Sequence, residues 1–137
     1  MESEVSKRKA APRIATLDRA LREYVRDRDK TCHYWRGLEA SEYIDRHLRC
    51  EGPLEVAHLI PRRHRMTRLD PANCVLLCQK HHKLLDYFPL DKDFWIRTAL
   101  GETKWEELRE KGRQFHKSTN ADKWEELRNL QAMRKAL

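Results

Sequence analysis

Glycine is scarce in this 137-residue chain, with four in all, and neither a G-x-G-x-x-G nor a Walker pattern occurs. The Gly-rich loops that cradle nucleotide phosphates are therefore excluded. No apolar run approaches the roughly 20 residues that span a bilayer as a helix, and no apolar stretch follows the basic N-terminus. Neither a membrane protein nor a conventionally exported one is expected, and the expected location is cytoplasmic. Acidic charge is in deficit: 22 Asp+Glu stand against 29 Lys+Arg, a net charge of +7. That balance makes a polyanion the partner to test, nucleic acid ahead of anionic membrane. The length suits one small domain with a marginal core, so a staple such as a metal or a dimer contact is expected. Four cysteines are present, Cys32, Cys50, Cys74 and Cys78. In a reducing compartment, cysteine near histidine reads as metal ligation before disulfide.

Residues 1–12 are polar and basic, and read as an arm able to touch phosphates or simply as a frayed terminus. From Ile14 the pattern changes. Ile14, Leu17, Leu21, Tyr24 and Val25 recur at helical spacing with arginines between them, which predicts an amphipathic helix within 13–29. Its arginine-rich face is either solvated or able to lie along a phosphate backbone. The next stretch holds Cys32, Cys50, a short helical candidate over Glu39–Arg46 and a turn at Glu51-Gly52-Pro53. Leu54–Ile60 is β-prone and ends at Pro61. A basic loop, a turn at Asp70-Pro71-Ala72-Asn73, a second strand Cys74–Cys78 and a helix from Gln79 follow.

The segment 91–137 contains a short repeat, Lys-Trp-Glu-Glu-Leu-Arg, at 104–109 and 123–128. Thr103 stands three residues before Glu106 and Asp122 three before Glu125, so each copy is expected to open a helix with a capping box. Trp and Leu, three apart, share one face of each helix. The pair either docks on the core or mediates a homodimer.

The informative stretch is 55–86. His58 stands on the first strand, Asn73 just before the second, and the helix opens with His81-His82; the reduced pattern is H-x14-N-x4-C-x2-H-H. This resembles the HNH endonuclease family, the ββα-metal or His-Me finger nucleases, over about residues 30–90. The A-H-L-I-P start, the L-C segment and the closing H-H are similar to its zinc-stapled subgroup of phage and bacterial genomes. The resemblance implies an α+β fold. A small ββα-metal core at 30–90 would be flanked by the N-terminal helix and a C-terminal helical pair in 91–137.

Phosphodiester hydrolysis needs an activated water, neutralised phosphate charge and a stabilised leaving 3′-oxygen; one divalent ion serves the last two, and a histidine the first. By resemblance His58 is the general base. Asn73 holds the His58 strand or orients its imidazole, and His82 ligates the catalytic Mg²⁺ or Mn²⁺. The family usually places a metal ligand just before the base, where this chain has Ala57. Asp86, four residues after His82 on one helical face, is the expected second ligand. Glu55 alternates onto the strand face opposite His58 and ranks below it. The resemblance also implies a structural zinc, held by Cys32, Cys50, Cys78 and His81; Cys74 reads as a small core residue.

Arg62, Arg63, His64, Arg65 and Arg68 follow the base closely. Arginine forks suit phosphate oxygens and position a backbone without reading bases. The expectation is therefore a metal-dependent DNA endonuclease of low sequence specificity. The alternatives are a zinc-stapled nucleic-acid-binding module without catalysis and an accessory protein acting through its Trp-Leu helices.

Overall fold

In the computed structural model of the protein, residues 10–37 and 49–137 are described. The Glu39–Arg46 helical candidate and most of the basic arm lie outside them. Helix α1 spans Ile14–Asp29 and buries Leu17, Leu21, Tyr24 and Val25. Ile14, expected on that apolar face, is exposed: it starts the first turn, ahead of the part of the helix that packs.

Strands β1 (Leu54–His58) and β2 (Cys74–Cys78) form an antiparallel hairpin, with Leu54 opposite Cys78 and His58 opposite Cys74. Strand alternation sends side chains to two different cores. Val56, Cys74 and Leu76 pack with Leu21, Tyr24 and Val25 of α1. Ala57 and Leu77 pack on the other side, in a cluster with Tyr34, Leu85 and Trp95. Both faces are covered, which is why Cys74–Cys78 reads as a continuous apolar run rather than an alternating one. Burying Leu76 and Leu77, each 1% exposed, contributes roughly 1.5–3 kcal/mol per side chain.

The connection between the strands contains one helical turn, α2 (Arg65–Arg68), and a 3-10 turn over Pro71–Asn73. Helix α3 (Gln79–Tyr87) follows β2 directly. Helices α4 (Pro89–Leu100), α5 (Glu102–Arg113) and α6 (Asn120–Lys135) complete the described chain. The architecture is α+β: a two-stranded ββα core with flanking helices.

The helical pair anticipated in 91–137 is preceded by α4, which periodicity misses. Its apolar residues lie all round it: Trp95 and Ile96 are buried while Leu90 and Phe94 are exposed. The Trp95 indole donates to the Tyr34 carbonyl at 2.6 Å and ties α4 to the segment that carries Cys32. The repeat faces dock inside the molecule. Trp105 and Leu108 of the first copy enter the hairpin core; in the second, Leu127 is buried and the half-buried Trp124 indole donates to the Ala10 carbonyl, while Leu130, beyond the repeat, packs on α1.

The expected capping boxes are corrected. Helix α5 starts after Gly101 without a side-chain cap. Helix α6 starts a turn earlier than the repeat suggests. Thr119 caps it, and Asp122, expected to be the cap, is instead at position N3 of the box and accepts the Thr119 N–H. The pairing of cap and carboxylate is the same, moved three residues back. No helix among the described residues is long and apolar enough to cross a membrane.

Candidate metal centre and nuclease site

The Glu51-Gly52-Pro53 turn brings Cys50 back toward α3. Gly52 has φ +83°, and a Cβ there would meet the Gln79 side chain at 2.8 Å, so this close return requires glycine. Gln79 N–H donates to the Pro53 carbonyl and Lys80 N–H to that of Glu51, fastening the turn to the start of α3. The Cys78 thiol then accepts the His81 N–H and caps the helix. His81, fully buried, places Nδ1 3.2 Å from Cys78 Sγ, 3.5 Å from Cys32 Sγ and 3.7 Å from Cys50 Sγ.

The four donor atoms all lie within 4.8 Å of one another. Tetrahedral zinc, with bonds of about 2.3 Å to sulfur and about 2.0 Å to nitrogen, separates those atoms by about 3.5 Å. The set therefore fits zinc in both chemistry and spacing. Tyr34 stacks on the His81 ring at 3.9 Å and fixes its plane. Burial pushes the Cys32 thiol up to about 12. Cys78 goes the other way: the His81 and Glu51 backbone and the thiols of Cys32 and Cys50 outweigh its burial and lower it. Cys74 stands apart from the group, buried in the α1 core, with its thiol pushed by burial up to about 12.

His58 leaves β1 on the α1 side. Its Nε2 lies 2.9 Å from the Arg68 carbonyl oxygen. A carbonyl only accepts, so Nε2 carries the proton and Nδ1 keeps a lone pair. Burial lowers the His58 pKa, the carbonyl bond acts against that, and the Arg62 charge adds to the lowering. Arg68 is itself held by Asp18 of α1 at 2.9 Å. Arg62, Arg63 and Arg65 are exposed, and His64 is half-buried with its carbonyl accepting the Thr67 hydroxyl.

Asn73 is fully buried and does not touch the His58 ring. Its Oδ1 accepts Ile60 N–H at 2.7 Å, and its Nδ2 donates to the carbonyls of Ile60 and Thr67 at 3.0 and 3.1 Å. Of the two roles the sequence leaves open, this geometry matches holding the strand: one amide locks the loop between His58 and α2.

His82 occupies a third place. Its Nε2 is 3.4 Å from Asp86 Oδ2, as the i, i+4 spacing anticipates, and its Nδ1 is 3.3 Å from Glu55 Oε1. Glu55, ranked lower from the sequence, is thus against the ring. Strand parity correctly put it opposite His58; what parity could not tell is that α3 brings His82 to that same face. A neutral imidazole has one N–H, so it donates to only one of two carboxylates. The other nitrogen then faces a carboxylate oxygen lone pair to lone pair, the arrangement in which a cation fits between a histidine and a carboxylate. Lys92 also pairs with Asp86, at 2.9 Å. Ala57 lies in the apolar core beside Leu85 and supplies no ligand. His58 and His82 leave the hairpin region on different sides and do not touch.

A Cys3His group that could hold zinc thus lies beside a ββα hairpin carrying His58, Asn73 and His82 in order. Residues 28–90 match the family model of the HNH endonucleases. No curated protein and no solved structure matches the chain.

Proposed function

We propose that this protein is a divalent-metal-dependent endonuclease that hydrolyses DNA phosphodiester bonds with low sequence specificity. The observation that carries this reading is His58, whose Nε2–H is bound by the Arg68 carbonyl while Nδ1 stays free to take a proton. A base held in one tautomer and kept neutral by burial is suited to deprotonating a water near neutral pH.

His82 Nε2 and Asp86 hold the catalytic Mg²⁺ or Mn²⁺ in this reading. When bound, the ion neutralises phosphate charge and stabilises the leaving oxygen. Glu55 accepts the His82 Nδ1–H and thereby keeps Nε2 turned toward Asp86, the outer-shell role that carboxylates play for ligating histidines. Arg62, Arg63 and Arg65 position the phosphate backbone, with His64 beside them and Arg68 holding the base. Zinc in the Cys32, Cys50, Cys78 and His81 group staples the fold, and the protein acts in the cytoplasm.

The burial of Ala57 and the separation of His58 from His82 favour a second reading, a zinc-stapled module that binds nucleic acid without cutting it. Plasmid and oligonucleotide cleavage with Mg²⁺ or Mn²⁺ separates the two. The nuclease reading requires metal-dependent cutting that His58→Ala abolishes while DNA binding persists. Binding without cutting in every divalent metal supports the module instead.

A further inference from the structure

We infer that α1 carries a second phosphate-binding surface, the stripe Arg19, Arg22 and Arg26, which grips a duplex backbone on the His58 side of the hairpin. This rests on the nucleic-acid reading above. The sequence of α1 contains four acidic and four basic residues, which by count alone is a balanced helix. The ion pairs break that balance. Asp18 is taken by Arg68 of the loop, Glu23 and Asp27 by Arg134 of α6, and Asp29 by Arg28. Every acid of α1 is therefore already paired, Glu23 and Asp27 sharing the single charge of Arg134. Arg19 and Arg22 have no acidic partner among the described residues, and Arg26 donates only to the Leu54 carbonyl, at 3.0 Å.

The three arginines are exposed, at positions i, i+3 and i+7. At 100° per residue they fall within an arc of about 60° and span about 10 Å of helix, close to three base-pair steps of duplex. Like charges at i, i+3 and i+4 repel, and no ion pair to these three arginines among the described residues offsets this. A polyanion does. The stripe is also fixed relative to the base: Asp18, one residue before Arg19, holds Arg68, whose carbonyl holds His58.

The test is the salt dependence of binding to a fluorescent DNA duplex, measured by anisotropy on zinc-containing His58→Ala protein so that the duplex stays intact. Each phosphate contact contributes about 0.9 to the slope of log K against log salt. The Arg19→Gln/Arg22→Gln pair is expected to lower that slope by about 1.8 with thermal unfolding unchanged. Removing two paired charges elsewhere, Arg109→Gln/Arg113→Gln, is expected to leave it alone. If the α1 pair leaves the slope unchanged while Arg62→Gln/Arg63→Gln lowers it, the inference fails and the nucleic-acid reading stands. If the unsubstituted surface shows no salt-dependent binding at all, both fail. Loss of binding to anionic phospholipid vesicles with DNA binding intact also overturns it, and assigns the stripe to a membrane surface.

Discussion

His58 Nε2 lies 2.9 Å from the backbone carbonyl of Arg68, whose guanidinium is held 2.9 Å from Asp18 of α1. One residue thus fixes the tautomer of His58 with its main chain and anchors the loop with its side chain. The chemistry available to His58 depends on both.

The first prediction concerns pH. Burial holds the His58 pKa below its ordinary value of 6.5, and a base works only when unprotonated. Cleavage is expected to be level from neutral pH upward and to fall on acidification with a midpoint below 6.5. His58→Ala should lower the rate by about 10²–10⁴-fold. A pH–rate profile at saturating Mn²⁺ measures this, and a midpoint above 7 contradicts the assignment.

A second prediction separates ligand from orienter at His82. Outer-shell partners of ligating histidines typically change metal affinity by about 10–100-fold. Glu55→Ala is expected to weaken Mn²⁺ binding within that range. Glu55→Gln, which keeps an acceptor for Nδ1–H, should recover much of the loss. Asp86→Ala and His82→Ala should lose binding. Titration of free Mn²⁺ by electron paramagnetic resonance reads this without DNA. If Gln proves as damaging as Ala, Glu55 is itself a ligand; if Asp86→Ala changes nothing, Asp86 is not one.

The zinc assignment is tested by metal analysis and unfolding. The purified protein should carry one zinc. Cys50 is exposed, so Cys50→Ser removes a ligand with little loss of packing. A drop in Tm of about 10 °C or more in that variant therefore reports the metal, because ligation supplies folding free energy. Cys74→Ser should retain the zinc.

Acid stability should depend on Asp29. Its carboxylate accepts the Leu76 N–H at 2.9 Å and pairs with Arg28, joining the end of α1 to β2. Burial acts to raise its pKa, but Arg28 and the Leu76 N–H outweigh that and hold it below 3.8. A folded-state pKa below the unfolded one gives stability that is present above about 4 and is lost as pH falls through the folded value. Asp29→Ala should cost about 2–3 kcal/mol at pH 7. The gap between variant and parent should narrow in urea titrations below pH 4.

Much of the site was legible without coordinates because its determinants are local. The C-x2-H and H-x3-D spacings on α3, the strand at Cys74–Cys78 and the inward stripe of α1 all follow from one or two turns of regular backbone. Helix α4 was not legible, since its apolar residues cover every side, and the repeat misled on capping because the cap lies in the preceding loop.

Sequence alone determined which residues are candidates for chemistry: a histidine before a proline-ended turn, an asparagine at the next strand, paired histidines on a helix and cysteines to complete a possible ligand set. The tertiary structure decided who faces whom. It brought Cys32 and Cys50 to His81, set Glu55 against His82, turned Asn73 onto the loop rather than the base, and buried Ala57. It also left one stripe of α1 arginines uncompensated. These are long-range relations, set by how the two faces of one hairpin pack against α1 and α3, and no spacing along the chain encodes them.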